Sequence, residues 1–126
     1  MKKKILIIED DVEISSSIEE LLIDEGYEVA TAKNGQDALD QLQSMNSLPQ
    51  LILLDLMMPV KDGIGFREDQ AKDSRINEIP VILMSADAQI EAKKIKMGIA
   101  QHLKKPLDID VLLKLIDSLI LPGFRV

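Results

Sequence analysis

The sequence is poor in aromatic residues and in the residue types that form disulfide bonds and bind soft metal ions. Its 126 residues include no Cys, no Trp, one His, one Tyr and two Phe. Without Cys, disulfide frameworks, thiolate zinc sites and cysteine nucleophiles are excluded, and a single His excludes multi-histidine metal sites. Oxygen atoms are then the main ligands left for a metal ion.

Long apolar runs are also missing. The run Ile5–Ile8 spans four residues before Glu9, Asp10 and Asp11 interrupt it. The core of a secretory signal takes about 7–15 apolar residues, and a membrane span takes about 20. We therefore expect no membrane segment and a soluble protein of the cytoplasm.

The chain is acidic, with 22 Asp and Glu against 15 Lys and Arg and a formal net charge of −7. This balance argues against direct nucleic-acid binding, because neutralising phosphates requires a basic face. A hydrophobic fraction of 46% and a charged fraction of 29% are typical of a globular chain. The length allows one domain with one core.

Short apolar runs alternate with helical patterns from end to end. Strands are predicted at Ile5–Ile8, Tyr27–Thr31, Leu51–Leu54, Val81–Met84 and, weakly, around His102–Leu103. Helices are predicted at Ile14–Leu22, Ala38–Met45, Asp62–Lys72, Asp87–Met97 and Asp108–Leu121. This alternation predicts an α/β fold, an open doubly wound sheet of five parallel strands with helices on both faces. Ligands of such sheets bind at the carboxyl ends of the strands.

Polar side chains follow four of the predicted strands at those ends. They are Glu9, Asp10, Asp55, Ser85 and Lys105. The three carboxylates and one ammonium leave a net charge of −2, which one divalent cation neutralises. Oxygen ligands favour Mg²⁺, which commonly bridges carboxylates to phosphate oxygens. The pattern predicts a Mg²⁺ and phosphoryl site in which one carboxylate is a nucleophile and the other polar groups stabilise charge.

Each of these residues also has a plainer interpretation. Asp10 with Glu13 fits a capping box at the start of the first helix. Asp55 fits a turn residue and Ser85 a helix cap. Lys105, in a pair of lysines, fits a solvated side chain. The convergence of all of them on one sheet edge favours the functional interpretation.

Four motifs together resemble the receiver domain of two-component response regulators over essentially the whole chain. They are Glu9-Asp10-Asp11, the run Leu53–Pro59 with Asp62-Gly63 after it, Met84-Ser85-Ala86, and Lys104-Lys105-Pro106. The resemblance implies a flavodoxin-like (βα)5 fold with strand order 2-1-3-4-5. It also implies a receiver domain over residues 1–121, a short tail at 122–126, no output domain, and a stand-alone single-domain regulator.

The resemblance implies roles for the acidic residues and for Lys105. Asp55 would be the phosphoacceptor. Asp10 and Asp55 would bind Mg²⁺ directly, the backbone carbonyl of Met57 would be a third ligand, and Glu9 would act largely through water. Lys105 would contact the phosphoryl group, and its peptide bond to Pro106 would be cis.

Two further residues would form the switch. Ser85 would hydrogen-bond the phosphoryl group once it is formed, and His102 takes the position of the family's switch aromatic. Met57 and Asp87 lie two residues after Asp55 and Ser85, where receivers often tune the attack of water. Met57 cannot orient a water by hydrogen bonding whereas Asp87 can. This predicts slow to moderate self-dephosphorylation, unless Met57 is only surface filling.

A lysine-rich segment and an apolar last helix suggest a partner face. It would be formed by the fourth helix, fifth strand and fifth helix, with Lys93, Lys94, Lys104 and Leu113 as contacts for a downstream protein or a second copy. The plainer interpretation is a solvated lysine face and a scattered leucine.

The expected phosphoryl donor is a histidine kinase or a histidine phosphotransfer protein, and the chain would catalyse only its own phosphorylation and dephosphorylation. Two alternatives stay open. A Mg²⁺-dependent phosphatase or phosphotransferase with an Asp nucleophile usually has a second acid where Met57 stands. A phosphorylation-independent interaction module would not need the complete set of site residues. A flavodoxin-type flavin domain is disfavoured, because no Ser/Thr/Gly-rich loop follows the first strand.

Overall fold

A computed structural model describes residues 3–120. The strands are β1 (Lys4–Ile8), β2 (Glu28–Ala32), β3 (Leu51–Asp55), β4 (Val81–Ser85) and β5 (Gln101–Lys104). The helices are α1 (Val12–Asp24), α2 (Gly35–Ser44), α3 (Gly63–Lys72), α4 (Ile90–Lys96) and α5 (Ile109–Ile120). The predicted helix residue Leu121 and the tail at 122–126 lie outside the described residues.

All strand pairs are parallel, and the sheet order is β2-β1-β3-β4-β5. The predicted doubly wound α/β fold and its strand order are therefore confirmed. None of the helices within residues 3–120 has the length and hydrophobicity that a transmembrane span requires. Because every strand runs the same way, all five carboxyl ends lie at one edge of the sheet.

The core has two layers, one on each face of the sheet. One layer packs alternate strand residues such as Leu6 and Leu54 against α2, α3 and α4, with Phe66 fully buried among them. The other packs Ile7 and Met84 against α1 and α5. Burial on both faces explains why β1, β3 and β4 are continuous apolar runs rather than alternating ones.

The fourth helix begins later than the sequence pattern indicates. It starts at Ile90, and the prediction of a start at Asp87 is wrong. The Asp87 carboxylate accepts a hydrogen bond from the backbone N–H of Gln89 at 2.8 Å, which holds residues 87–89 in a turn. Asp side chains commonly stabilise such turns in competition with a helix.

The cap of the first helix is also shifted by one residue. Asp11, not Asp10, is the N-cap of α1, and its carboxylate accepts hydrogen bonds from the N–H groups of Glu13 and Ile14. The capping-box interpretation of Asp10 is therefore wrong. With Asp11 as the cap, the Asp10 side chain is available at the sheet edge.

Gly63 brings the loop after β3 close to the strand end. Its N–H donates to the carbonyl of Leu56 at 3.0 Å. A Cβ at this position would lie 2.6 Å from the carbonyl oxygen of Asp55 and 3.0 Å from Cα of Leu56. Only glycine permits this approach, so Gly63 helps to fix the backbone that carries the Asp55 side chain.

Val60, in the same loop, has a left-handed backbone with φ of 70° and a side chain that is 86% exposed. This conformation is unfavourable for a β-branched residue and easier for Asn.

We expect Val60→Asn to raise the free energy of unfolding by about 1 kcal/mol. Chemical denaturation measures this. Val60→Thr, which is polar but still β-branched, is the matched control and should change little; an equal gain in both variants would contradict the strain argument.

Candidate functional site

Three acidic side chains meet at the carboxyl edge of the sheet. One carboxylate oxygen from each of Glu9, Asp10 and Asp55 lies within 4.8 Å of the others. Glu9 and Asp10 directly follow β1, and Asp55 is the last residue of the neighbouring β3. Glu9 and Asp55 are buried, whereas Asp10 is exposed. The parallel pairing of β1 and β3 thus brings together carboxylates that are distant in sequence.

Lys105 joins two of these carboxylates. Its Nζ lies 2.6 Å from Oε1 of Glu9 and 3.2 Å from Oδ1 of Asp55. The side chains of Lys105, Glu9 and Asp55 are 19%, 1% and 5% exposed. Lys105 is therefore a partly buried ion-pair partner and not the solvated lysine of the plainer interpretation. Its peptide bond to Pro106 is cis, as the resemblance implies.

The protonation behaviour of the cluster follows from burial and from these charges. Burial raises the pKa of Glu9 to about 6, because the opposing effects of Lys105 and of the Asp11 N–H do not fully compensate for it. Asp55 adds to the rise by charge repulsion. Burial alone would lower the pKa of Lys105, but the hydrogen bond to Glu9 and the charge of Asp55 outweigh it and raise that pKa.

The cluster opens into a cleft of about 480 Å³ at the surface. The cleft is lined by Asp10, Asp11, Ile14, Asp55, Met57, Ser85, Ala86, Asp87 and Lys105. The cluster of three carboxylates and the Lys105 ammonium carries a net charge of −2. Oxygen donors with this charge fit a hard divalent cation.

Ser85, at the end of β4, lies at the same edge. Its side chain is buried, and its Oγ accepts a hydrogen bond from the N–H of Asp87 at 3.0 Å. His102 is half-buried on β5, where it pairs in register with Leu83. In the described part of the chain, His102 does not line the cleft. The structure therefore places Ser85 in the lining of the cleft and His102 on the neighbouring strand β5, outside that lining.

The residues of the predicted partner face are only partly exposed. Lys93 and Lys94 on α4 are half-buried, and Lys104 on β5 is exposed. Leu113 packs partly against the core layer beneath α5. The exposed apolar residues of α5 are instead Ile109 and Val111 at its start. A contact role for Leu113 stays a prediction.

Sequence reasoning missed some of the supports of the site. The N–H of Asp11 donates to Oε2 of Glu9 at 3.2 Å, and so helps to orient that carboxylate. The Asp87 side chain forms an ion pair with Lys93 at 2.5 Å. No periodic pattern signals a pair six residues apart across a helix start, whereas pairs three or four apart within a helix are readily recognised.

The chain matches a family model described as the response regulator receiver domain over residues 5–117. A similar curated protein is the probable transcriptional regulator ycf29 of Pyropia yezoensis, 35% identical over 122 residues, which cover 95% of this chain and 54% of that protein. Another is the DNA-binding dual master transcriptional regulator RpaA of Synechocystis, 34% identical over 119 residues, 93% of this chain and 48% of that protein. The chain spans about half the length of these relatives.

Solved structures of signalling proteins have the same fold as this chain. The chemotaxis protein CheY4 of Vibrio cholerae superposes with a TM-score of 0.86 at 26% identity, over 95% of this chain and all of the other. The signal receiver domain of a signal transduction histidine kinase from Syntrophus aciditrophicus superposes with a TM-score of 0.87 at 26% identity, over 98% of this chain and 94% of that one.

The Lys105 ammonium pairs with both Glu9 and Asp55, so its removal should destabilise the fold. In buffer that contains no divalent cations, we expect Lys105→Gln to lower the free energy of unfolding by about 3 kcal/mol, because two buried carboxylates lose their partner. Urea denaturation measures the change. Lys104→Gln removes the same charge from the exposed neighbouring lysine and should change stability by no more than about 0.5 kcal/mol. Equal losses in the two variants would contradict a structural role for the Lys105 ion pairs.

Proposed function

Since this chain belongs to the response regulator receiver family, we propose that Asp55 accepts a phosphoryl group from a phosphohistidine donor. The donor is a histidine kinase or a histidine phosphotransfer protein. The observation that carries the proposal is the cluster itself, in which Asp55 lies within 4.8 Å of two more carboxylates and 3.2 Å from Lys105. A buried carboxylate with a cation beside it, open to a cleft, is suited to act as a phosphoryl acceptor.

The proposed step forms one bond and breaks one. An oxygen of the Asp55 carboxylate bonds to phosphorus, and the bond from phosphorus to the donor imidazole nitrogen breaks, leaving its electron pair on that nitrogen. Lys105 is close enough to Asp55 to stabilise the negative charge of the phosphoryl oxygens. Most of the catalysis of such a transfer is positioning and charge stabilisation, which this chain's own side chains supply.

The donor set fits Mg²⁺. Asp10 and Asp55 would hold the ion with the backbone carbonyl of Met57, and Glu9 would act through water. When bound, Mg²⁺ neutralises charge on the carboxylates and on the phosphoryl oxygens. The fit rests on the oxygen ligands and on the net charge of −2 of the cluster formed by the three carboxylates and Lys105.

Phosphorylation changes the charge of Asp55 from −1 to about −2. We propose that Ser85 then moves to hydrogen-bond the phosphoryl group and that His102 turns inward behind it. Ser85 is well placed, because it ends β4 next to Asp55 at the end of β3. The output is a change on the surface formed by α4, β5 and α5, which would bind a downstream protein or a second copy. This is a local charge event that biases a two-state element.

The same geometry weighs against the alternatives. The chain is proposed to turn over only its own acyl phosphate, because the second position after Asp55 is Met57, which offers no acid for a leaving group. Since the site residues are complete, a phosphorylation-independent module is disfavoured. The two relatives named above, ycf29 and RpaA, are named as transcriptional regulators and are about twice as long as this chain. For this chain we propose a receiver domain over residues 1–121 that works in the cytoplasm through contacts with other proteins.

The identity of the acceptor is testable with acetyl phosphate and Mg²⁺. We expect the wild type to gain the mass of one phosphoryl group in an intact-mass spectrum and Asp55→Asn to gain none, because an amide is not a phosphoryl acceptor. The matched control is Asp24→Asn, an exposed aspartate at the end of α1 far from the cleft, which should label like wild type. Equal labelling of wild type and Asp55→Asn would refute Asp55 as the acceptor.

The switch is testable with beryllofluoride, a phosphoryl mimic, followed by amide NMR spectra. We expect resonances of α4 and β5 to shift as well as those lining the cleft, because Ser85 and His102 link the two regions. Asp55→Asn should show none of these shifts. Changes confined to the cleft in the wild type would contradict the proposed output surface.

A further inference from the structure

The loop between β4 and α4 links the cleft to the outer helix through one ion pair. Asp87 lines the cleft together with Asp55 and Met57. Its Oδ2 lies 2.5 Å from Nζ of Lys93, one of the residues of α4. The pair therefore joins a carboxylate at the mouth of the cleft to a cation on the proposed output surface.

The pair leaves Asp87 with little freedom to act in the cleft. Oδ2 is engaged by Lys93, and Oδ1 accepts the N–H of Gln89 at 2.8 Å. The side chains of Lys93 and Asp87 are 35% and 24% exposed, so solvent screens them less than a fully exposed pair. The hydrogen bond from Lys93 lowers the pKa of Asp87. Asp87 is thus a charged carboxylate with both oxygens engaged by residues at the start of α4 and within it.

The same residue is connected to the switch. The N–H of Asp87 donates to Oγ of Ser85 at 3.0 Å. A movement of Ser85 toward a phosphoryl group would remove this acceptor from Asp87. With the Ser85 movement proposed above, the turn that carries the Asp87 carboxylate would respond to phosphorylation of Asp55.

The two ends of α4 are held differently. At its carboxyl end, Arg67 of α3 donates from Nε to the carbonyl of Met97 at 2.9 Å and from one terminal nitrogen to the carbonyl of Gly98 at 3.2 Å. At its amino end, Gln89 makes no side-chain capping bond. The amino end is held instead by Ile90, which is buried in the core and donates its N–H to the carbonyl of Asp87 at 3.2 Å. The Asp87–Lys93 pair is a side-chain link between α4 and the cleft loop in addition to these contacts.

We propose that Lys93 is a positioning residue that holds Asp87 away from the water that attacks the acyl phosphate, and so prolongs the phosphorylated state. The proposal rests on phosphorylation of Asp55. In hydrolysis, the water oxygen bonds to phosphorus and the bond from phosphorus to the Asp55 oxygen breaks, returning its electron pair to the carboxylate. One water proton stays on the inorganic phosphate, and a released Asp87 accepts the other.

A binding consequence follows from this arrangement. A partner with an acidic group that takes Lys93 on the α4 surface would release Asp87 into the cleft. Occupation of the output surface would then shorten the life of the signal. By linkage, the effect of the partner on the Asp87 equilibrium and the effect of that equilibrium on the partner are the same free energy.

The test is a double-mutant cycle on the rate of acyl phosphate hydrolysis, measured after labelling with acetyl phosphate and removal of the donor. Lys93→Gln should hydrolyse about fivefold faster than wild type, below the full effect of a well-positioned general base. Asp87→Asn should stay within about twofold of wild type, and the double variant should match Asp87→Asn. The matched control Lys96→Gln removes an exposed lysine from the same helix and should leave the rate unchanged.

A merely structural effect gives a different pattern. If loosening of α4 were the cause, Lys93→Gln would accelerate hydrolysis equally with Asp or Asn at position 87, which would overturn the proposal. Rising salt should shorten the wild-type lifetime by weakening the pair and should not affect Lys93→Gln. If the acyl phosphate has the same lifetime in labelled wild type and labelled Lys93→Gln, this inference is overturned while the proposed function stands. A wild type that takes no label contradicts the proposed function and this inference with it.

Discussion

Repulsion among three carboxylates at one sheet edge is the constraint on which the rest of the site depends. Glu9 and Asp55 are buried, and Asp10 lies within 4.8 Å of both. Like charges this close are stable only where cations compensate for them. Lys105 supplies one positive charge, and the remaining charge of −2 is one that a divalent cation would neutralise. The negative charge that makes the carboxylates repel one another is therefore also the charge that suits the cluster to a cation.

The fold provides the framework that keeps these charges together. Parallel pairing of β1 with β3 fixes the distance between the acidic residues, and β5 carries the compensating lysine to the same edge. Gly63 lets the loop after β3 approach the Asp55 backbone, while Asp11 caps α1 and orients Glu9. In the described part of the chain, every buried side-chain nitrogen or oxygen has a hydrogen-bond partner. A fully bonded surrounding keeps the carboxylates in place in spite of their repulsion.

The sequence predicts the parts of this arrangement that depend on periodicity and strand direction. Continuous apolar runs mark β1, β3 and β4, and a parallel sheet then places Asp55, Ser85 and Lys105 at one edge. The missed features depend on local backbone geometry. Whether Asp10 or Asp11 caps α1, and whether Asp87 starts a helix or a turn, is decided by where single N–H groups point. The pairing of Asp87 with Lys93 follows from that turn, so the pattern of the sequence alone does not indicate it.

The central claim is that Asp55 carries the phosphoryl group, and chemical trapping tests it most directly. Borohydride reduces an aspartyl phosphate to homoserine, which tandem mass spectrometry of peptides locates to one position. After phosphorylation of the wild-type chain by a histidine kinase or by acetyl phosphate, homoserine is predicted at position 55 and at no other aspartate. Homoserine at position 10 or elsewhere, or none in a chain that has gained a phosphoryl group, would contradict the claim.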